Sequence, residues 1–340
     1  PPGATACMTT PSRPDAPPPR TLEALREHGF DIVGSEALAG DVSLRRYFRV
    51  RLRSGESAVL AQYPEGIASS CERFARSTGL LEAVGVRCPG ILASGCDDGV
   101  MLLEDLGSRT LYDLRTGSWP SLTPWLQRAA DLLPAIASIP VEAVRDLGPA
   151  LDRELLAAEL GRTWRLLLGD DGVLPGSLPA PLAAALDELT ERLAASPQVP
   201  CHRDFMARNL IPLEATSELA VIDHQDLRMG PRTYDLASLL NDSLFPPADL
   251  ERQIAGSILE PDELPDYHRA AAQRTLKAVG TFVGFARRGN DRHMALVEPT
   301  LTHARRHLEQ LPETASLGTL IAALWADLLE ALAATGDLLD

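Results

Sequence analysis

The chain has very little lysine: Lys277 is the only one among 340 residues, so arginine carries almost all of the positive charge. Basic residues are also outnumbered, since 47 acidic and 32 basic side chains give a formal net charge of −15. Because nucleic-acid phosphates are bound by basic surfaces, this balance argues against a nucleic-acid-binding protein. No apolar run approaches the roughly 18–20 residues of a membrane-spanning helix, so we predict no membrane segment.

Paired cysteine motifs are missing as well. The cysteines are odd in number and show no CxxC pair or zinc-ligand spacing; they are Cys7, Cys71, Cys88, Cys96 and Cys201. This usage is typical of the reducing cytoplasm rather than of a disulfide scaffold, so we predict a cytoplasmic protein. Cys201 precedes the charged motif described below, and we interpret it as a small buried hydrophobe rather than as a nucleophile.

The N-terminal segment "PPGATACMTTPSRPDAPPPR" is rich in proline and poor in apolar side chains. This composition does not fit a signal peptide. We predict a disordered tail over residues 1–20, with Met8 as a candidate for the natural start.

Two patterns of hydrophobicity divide the rest of the chain. Helices are predicted over residues 21–29 and about 69–84, among strand-like stretches bounded by turn residues. These stretches are "EALAG", "SLRRYFRVRL", "SAVLAQYP", "GILASG" and "GVMLLEDLG". From residue 108 onward, Leu/Ala-rich segments of helical period dominate, apart from an extended region at 198–223. The predicted helical segments are 121–138, 150–168, 180–195, 233–244, 266–287, 291–310 and 315–335.

The predicted fold class is therefore α+β. The chain is long enough for two lobes, and we place a small β-rich lobe at residues 21–107 and a larger α-helical lobe at 108–340. A mostly β lobe joined to a mostly α lobe favours a cleft between them as the ligand site.

The candidate catalytic and metal-binding residues lie in the stretch "PCHRDFMARN" and in the following stretch "AVIDHQD". If residues 210–213 and 219–222 pair as a hairpin, residue 210 faces 222, and Asn209 faces Asp223 at its open end. Asp204 lies on the loop that leads into the same end. Amide and carboxylate oxygens suit Mg²⁺, which takes further ligands from a substrate phosphate. Asp204 is then free to accept a proton from an attacking hydroxyl, as phosphoryl transfer requires. The alternative is a polar turn capped by Asp and Asn.

These residues resemble the catalytic loop and metal-binding Asp of the aminoglycoside phosphotransferase and choline kinase superfamily, relatives of protein kinases. More closely, seven segments occur in the order found in the bacterial anomeric kinases for N-acetylmuramate and N-acetylglucosamine. The segments are "DVSLRRYFRV", "RCPGILASG", "LLEDLG", "HRDFMARNL", "VIDHQD", "GPRTYDLASLLND" and "QRTLKAVGTF". The resemblance covers about residues 20–310.

The resemblance implies a bilobal protein-kinase-like fold with ATP and Mg²⁺, in which the first lobe binds the nucleotide. It assigns Asp204 as the catalytic base and Asn209 and Asp223 as metal ligands. The Glu104-Asp105-Leu106 segment resembles the adenine-binding hinge, at about residues 104–107. His202 is expected to organise the catalytic loop, with a direct acid–base role as the alternative, and Asp235 to brace that loop from a helix N-terminus.

A departure from kinase patterns concerns the missing lysine of the third strand. That strand reads "VLAQYPEG", with Gln62 or a neighbour where Lys is expected. The anomeric-sugar kinases also lack a typical Lys there, which favours that subgroup. Ser43, Arg45 and Arg46 are our candidates for holding phosphate oxygens, although an alternating strand with solvated arginines remains an equal alternative. With only Gly40 in the preceding loop, no glycine-rich phosphate cradle is predicted.

Three further residues are candidates for contacting the acceptor. Asp226 follows Asp223 by three residues and is predicted to contact the metal shell or the sugar, or to cap the next turn. Arg274 and Lys277 share a helical face, and the resemblance implies that this helix borders the acceptor pocket. They are therefore candidates for sugar or phosphate binding, with a solvated helix face as the alternative.

The residues and the resemblance together predict an ATP- and Mg²⁺-dependent kinase with no nucleic-acid, membrane or obligate protein partner. The resemblance implies an amino-sugar hydroxyl, the anomeric one, as the acceptor. Alternatives are another acceptor in the same fold, such as an aminoglycoside, a hexosamine at another position or choline, or a non-catalytic nucleotide-binding protein.

Overall fold

The computed structural model describes residues 16–38, 45–67 and 69–334. Ser43, Gly40, Cys7 and Met8 lie outside these residues. The chain divides into two units, with Leu106 ending the first and Gly107 continuing the second. Residues 77–88 group with the second, helical unit, so the division also falls within the helix Ser69–Ala83.

The first unit is built on a five-stranded antiparallel sheet with the order β1-β2-β3-β5-β4. Alternate residues of the strands point to opposite faces and pack into two apolar clusters, one around Phe48 and Leu60 and the other around Phe74 and Met101. The elements are α1 (Pro19–Glu27), β1 (Ile32–Leu38), β2 (Arg46–Leu52), β3 (Ser57–Gln62), β4 (Ile91–Gly95) and β5 (Val100–Glu104). The first helix thus begins at Pro19, inside the segment predicted to be a tail.

A disulfide joins Cys71 to Cys96 in the first unit, where their Cα atoms lie 5.5 Å apart. The sequence-based expectation of no disulfide is therefore wrong at this pair. The two cysteines are 25 residues apart in the chain. Only the folding of the helix that contains Cys71 against the sheet brings them within bonding distance.

The second unit is mostly helical. Its helices are α2 (Ser69–Ala83, shared with the first unit), α3 (Trp119–Ala137), α4 (Val141–Arg145), α5 (Arg153–Leu167), α6 (Ala180–Ala195), α7 (Tyr234–Leu240), α8 (Ala248–Ile258), α9 (Leu264–Ala286), α10 (Val297–Leu308) and α11 (Gly318–Ala334). The short helices α4 and α8 were not predicted from the sequence, since five and eleven residues give little periodicity.

The long helix α9 forms the centre of the second unit and packs against α5, α6, α7 and α10. Gly280 permits the closest approach to α5, because a Cβ atom there would lie 2.3 Å from the Thr163 Oγ1 atom. The backbones of α5 and α9 are therefore in direct contact one turn away from the charged groups described below.

Two short antiparallel strand pairs flank the polar motif of the second unit. β6 (Gln198–Cys201) pairs with β9 (Arg228–Pro231), and β7 (Leu210–Leu213) pairs with β8 (Glu218–Val221). Leu210 faces Val221 rather than residue 222, so the predicted register is wrong by one residue. The turn has four residues instead of five. Asn209 consequently lies opposite Ile222, whose N–H donates to the Asn209 carbonyl at 3.0 Å.

Residues Ala315–Ala334, which contain α11, have the length and composition of a membrane span, with a mean hydropathy of 1.6. The prediction that no apolar run reaches this length is therefore wrong. One face of α11 packs into the helical core through Ile321, Trp325, Leu328 and Leu332. The Trp325 indole N–H donates to the Leu301 carbonyl at 2.9 Å.

Candidate active site

The loop after β6 turns sharply at Arg203, whose φ of 75° lies in the left-handed region that non-glycine residues rarely adopt. Both carboxylate oxygens of Asp235, in the first turn of α7, hold this turn. They accept the N–H groups of His202 at 2.6 Å and of Arg203 at 2.8 Å. Burial raises the pKa of Asp235. Such a conformation costs roughly 1–3 kcal/mol and persists where its surroundings fix it, as Asp235 does here.

His202 is completely buried beneath the loop. Its Nε2 atom lies 3.0 Å from the Ile222 carbonyl, and its ring meets Phe205 edge to face at 5.8 Å. The histidine thus links the loop to the residue before Asp223. With the whole ring buried, it has no surface on which to exchange a proton with a ligand, so its position favours the loop-organising interpretation over an acid–base role.

Asp204 follows on the same loop with its side chain about one quarter exposed. Its Oδ1 atom accepts a hydrogen bond from the Arg274 guanidinium of α9 at 2.8 Å. Burial alone would raise the pKa of Asp204, but the positive charges of Arg274, Lys277 and Arg203 outweigh it and hold the pKa well below its usual value. Asp204 is therefore a carboxylate, fixed in orientation by Arg274.

A buried carboxylate missed in the sequence, Glu159 of α5, organises the cations around Asp204. It pairs with Arg203 at 2.8 Å and with Lys277 at 3.1 Å, and it accepts a hydrogen bond from Gln273 at 3.1 Å. Burial opposes the ionisation of Glu159, yet Lys277 and Arg203 lower its pKa overall. The sequence did offer a sign of this role, because Glu159 occupies a position on the buried face of α5, where a charged residue is unexpected. The other buried residues of α5 are Leu156, Leu160, Thr163 and Leu167.

Asp226 is also ion-paired. Arg203 approaches it at 3.2 Å and Arg228, a second residue missed in the sequence, at 3.4 Å. Arg203 therefore connects Glu159 to Asp226 across the loop. Asp226 belongs to the ion-pair network around the loop, and the sequence-based choice between metal shell, sugar and turn cap did not include that role.

Asn209 and Asp223 lie on adjacent chain segments at the open end of the β7–β8 hairpin. The Asn209 amide N–H₂ donates to the Asp204 carbonyl at 2.8 Å, which leaves the amide oxygen without a donor among the described residues. Asp223 has a φ of 60° and accepts a hydrogen bond from Gln225 at 3.0 Å. One amide oxygen and one carboxylate fit the hard-oxygen donor set of Mg²⁺.

The nucleotide-binding candidates lie in the first unit. Arg46 is exposed and faces Gln62 across β2 and β3, and the Oε1 atom of Gln62 is buried with no hydrogen-bond partner among the described residues. The Arg45 guanidinium lies 6.0 Å from the centre of the Tyr47 ring. The polar end of β3 thus holds a buried amide oxygen that receives no hydrogen bond from the described residues.

The predicted hinge is tied to the sheet by side chains. The Glu104 carboxylate accepts the Gly90 N–H at 3.0 Å, and the Glu104 N–H donates to the Gly90 carbonyl at 2.8 Å. Asp105 receives two hydrogen bonds from Arg49, at 2.7 and 3.1 Å. These side chains therefore stabilise the segment itself, and any contact from it to a nucleotide would come from the backbone around Leu106.

Cys201 is buried, and a Cβ atom at Gly230 would lie 2.5 Å from its sulfur. Burial raises the pKa of its thiol well above the ordinary value. The interpretation of Cys201 as a packing residue agrees with this position.

Comparison with known families identifies the protein family, because residues 35–272 match the model of the phosphotransferase enzyme family. The chain belongs to this family. The N-acetylmuramate/N-acetylglucosamine kinase of Pseudomonas aeruginosa is 32% identical to this phosphotransferase, over 84% of the chain and 87% of the relative. The enzyme of the same name from Pseudomonas putida is 30% identical, over 85% and 88%.

Solved structures agree on the fold. The choline kinase LicA from Streptococcus pneumoniae matches 84% of this phosphotransferase and 98% of its own chain, with a TM-score of 0.58 and 14% identity. The ADP-bound aminoglycoside phosphotransferase APH(2'')-Ib matches 87% and 99%, also with a TM-score of 0.58 and 14% identity. The predicted kinase-like α+β fold and family resemblance are confirmed, and the protein is an enzyme of the kinase type.

Proposed function

We propose that this phosphotransferase is an ATP- and Mg²⁺-dependent kinase that phosphorylates a hydroxyl of an amino sugar, at the anomeric C1 position. The observation that carries the proposal is the fixed carboxylate of Asp204 beside Asn209 and Asp223. The relatives named N-acetylmuramate/N-acetylglucosamine kinase, 27–32% identical over most of the chain, support the acceptor class.

Asp204 is suited to orient the acceptor hydroxyl. Arg274 holds one carboxylate oxygen, and the other oxygen is left to accept a hydrogen bond from the sugar. A carboxylate with a lowered pKa is a weak base, but the loose transition state of phosphoryl transfer needs the hydroxyl proton only late in the reaction. The main contribution of Asp204 would then be to orient the acceptor hydroxyl, and it would accept the proton afterwards.

Asn209 and Asp223 would hold the metal ion through their side-chain oxygens. Bound there, Mg²⁺ would neutralise charge on the nucleotide phosphates. The hydrogen bond from the Asn209 amide to the Asp204 carbonyl couples the metal ligand to the loop of the general base.

ATP is the co-substrate that membership of a kinase family implies. We propose that Arg45, Arg46 and Gln62 contribute to its phosphate site in place of the absent lysine, and that the backbone around Glu104 and Leu106 contacts the base. The buried Gln62 oxygen, which has no donor among the described residues, supports this placement, because a water molecule between it and a phosphate can donate to both.

The alternative acceptors have weaker support. The solved choline, macrolide and aminoglycoside kinases are 14–17% identical, a level at which the likeness shows the fold alone. A non-catalytic protein is disfavoured because Asp204, Asn209 and Asp223 are all retained and are held by ordered contacts.

The test is ADP release from Mg²⁺-ATP with N-acetylmuramate, N-acetylglucosamine, glucosamine, kanamycin and choline as acceptors. We expect turnover with the N-acetylated sugars, and a product whose NMR spectrum shows phosphorus coupled to the C1 proton. Turnover with none of the sugars would refute the proposal. Coupling to the C6 protons instead would refute the anomeric position, and omission of Mg²⁺ should abolish turnover.

A further inference from the structure

The face of α9 beside Asp204 presents two cations one helical turn apart, Arg274 and Lys277. Arg274 is committed to Asp204 at 2.8 Å. Lys277 reaches only one carboxylate among the described residues, Glu159, and it shares that carboxylate with Arg203. The single lysine of the chain is therefore incompletely neutralised, and its side chain is about one fifth exposed.

We propose that Lys277 binds the carboxylate of an acidic amino-sugar acceptor and so determines the preference for acidic over neutral sugars. The inference rests on the proposed function and extends it from a sugar class to a specificity residue. It assigns to Lys277 a contact with the acceptor, and to Glu159 the role of positioning the ammonium group.

The charges of the network favour an anion. Arg203 and Lys277 share the single carboxylate of Glu159, and the other carboxylate that acts on Lys277, Asp204, is hydrogen-bonded to Arg274, so the ammonium group has no carboxylate to itself. A partly buried cation is stabilised when an oxyanion contacts it through charge-assisted hydrogen bonds. Burial, followed by the charge of Arg274, lowers the pKa of Lys277 to about 8, so the ammonium form persists at neutral pH.

The position of Lys277 favours the acceptor over the nucleotide phosphates as the source of the anion. Asn209 and Asp223, which would hold the metal ion and with it the phosphates, lie at the open end of the β7–β8 hairpin. Lys277 lies on α9, one helical turn from the Arg274 that contacts Asp204, and it joins α9 to α5 through Glu159. Because Arg274 contacts Asp204, a sugar whose hydroxyl contacts Asp204 is brought close to this helix, while the rest of the sugar extends away from the phosphate.

The subsite is built on rigid elements. Glu159 is almost fully buried and receives hydrogen bonds from Arg203 and Gln273 besides its pairing with Lys277. One turn further along both helices, Gly280 lies against Thr163 without room for a side chain. The ammonium group is therefore held by packed helices rather than by a surface loop.

The test compares two acceptors that differ in charge. N-acetylmuramate carries a lactyl carboxylate, and N-acetylglucosamine does not. For the wild type and Lys277→Met, kcat/KM is measured with both sugars, and thermal unfolding checks the fold. We expect the ratio of the two kcat/KM values, acidic over neutral, to fall by about tenfold in Lys277→Met, mainly through KM, as loss of one charge-assisted contact predicts. Lys277→Arg should restore most of the ratio.

An equal loss with both sugars, or an unchanged ratio, would overturn the inference. A wild type that phosphorylates only the neutral sugar would overturn it as well. A wild type inactive on both sugars would instead refute the proposed function, so the two failures are distinguishable.

A second measurement needs no variant. Because Lys277 is the only lysine, an amine-selective acetylating reagent marks it and the N-terminus alone, and peptide mass spectrometry separates the two. We expect saturating N-acetylmuramate to slow the labelling of Lys277 several times more than saturating N-acetylglucosamine. Equal protection by both sugars would contradict a carboxylate contact.

Discussion

At the scale of single residues, the environment of Asp204 defines what this carboxylate can do. Arg274 fixes its orientation, and nearby cations keep it ionised against the cost of burial. The same cations make it a weak base, so catalysis by Asp204 relies more on placing the hydroxyl than on removing its proton early. A weak base is sufficient for a kinase reaction, because little proton transfer precedes the transition state.

Replacing Asp204 by Asn should lower kcat by about 10²–10⁴-fold and leave ATP affinity nearly unchanged. The amide keeps an oxygen for Arg274 but cannot accept the proton. A coupled ADP-release assay gives kcat, and equilibrium titration gives ATP affinity. Asp249→Asn is the matched control, because this carboxylate is exposed and pairs only with Arg252 among the described residues. A variant that retains most of its kcat would exclude Asp204 as the proton acceptor.

The charge state of Lys277 leads to a second prediction at this scale. The charged groups that act on Lys277 are Arg274 of α9, Asp204 and Arg203 of the loop, and Glu159 of α5. Because the folded-state pKa is lowered to about 8, the ammonium is lost as the pH rises through that value. For N-acetylmuramate, kcat/KM should fall above about pH 8 and level off about tenfold lower, which is the loss expected for Lys277→Met.

The control for this profile is Lys277→Arg, since a guanidinium stays charged in this range and should remove the decline. N-acetylglucosamine serves as the matched acceptor, and its kcat/KM should not show the additional decline. An identical alkaline decline with both acceptors would assign it to another group.

At the scale of elements, α7, α8, α9 and α10 meet around a cluster of three histidines. His268 and His307 approach with their Nδ1 atoms at 2.9 Å, and His307 Nε2 lies 2.7 Å from the Asn241 oxygen. Neutral rings satisfy these contacts if His268 donates to His307 and His307 donates to Asn241. Burial lowers the pKa of His268 and His303 to about 4 and holds the pKa of His307 well below its ordinary value.

This cluster has the composition of a metal site, because ligand atoms of Glu251, His303 and His307 lie within 4.8 Å of one another. The Arg306 guanidinium, however, pairs with Glu251 and lies 3.3 Å from His303 Nδ1. A cation already occupies the acidic side of the cluster. We therefore interpret it as a structural element that holds four helices together.

The cluster predicts that acid destabilises the fold. Its histidines bind protons more weakly when folded than when unfolded, so the unfolded chain takes up protons first as the pH falls below about 6.5. The free energy of unfolding should drop between about pH 6.5 and 4, each histidine contributing a slope of at most about 1.4 kcal/mol per pH unit. Denaturant titrations at several pH values measure the slope.

His268→Asn separates this effect from other titrating groups, because the Asn amide can replace the Nδ1–H donor but does not titrate. The slope should decrease in this variant. His28→Asn is the control, since His28 is exposed on the first unit. An unchanged slope in His268→Asn would show that His268 does not bind protons differently in the two states.

At the scale of the whole molecule, composition predicted a reducing environment, whereas the structure contains a Cys71–Cys96 disulfide. A disulfide that closes a loop of about 25 residues stabilises a fold by roughly 3 kcal/mol, because it restricts the conformations of the unfolded chain. The two observations make different predictions for the purified protein, so thiol chemistry can decide between them.

We expect two fewer reactive thiols in the denatured, unreduced chain than in the reduced chain, because Cys71 and Cys96 are paired. After reduction the free energy of unfolding should fall by roughly 3 kcal/mol. Titration with a thiol-specific chromogenic reagent gives the counts. The matched control is the Cys71→Ser variant, which cannot form the disulfide. Reduction should not lower the free energy of unfolding of this variant by that amount. An equal thiol count before and after reduction would exclude the disulfide.

Much of the fold followed from sequence patterns. The strand-rich first part and the long helices of the second were predicted, because alternation and helical periodicity directly reflect burial. The short helices α4 and α8 and the hairpin register were not predicted, since helices of five and eleven residues show little periodicity and a turn of four rather than five residues leaves no clear pattern.

The sequence by itself determined the order Asp204, Asn209, Asp223 and the family to which the chain belongs, because these residues lie on one short stretch of chain. Only the tertiary structure decided their partners. Arg274 reaches Asp204 across 70 residues, and Glu159 reaches Arg203 across 44. Such pairs depend on which helix faces pack together, and side-chain packing between distant segments is not encoded in local spacing.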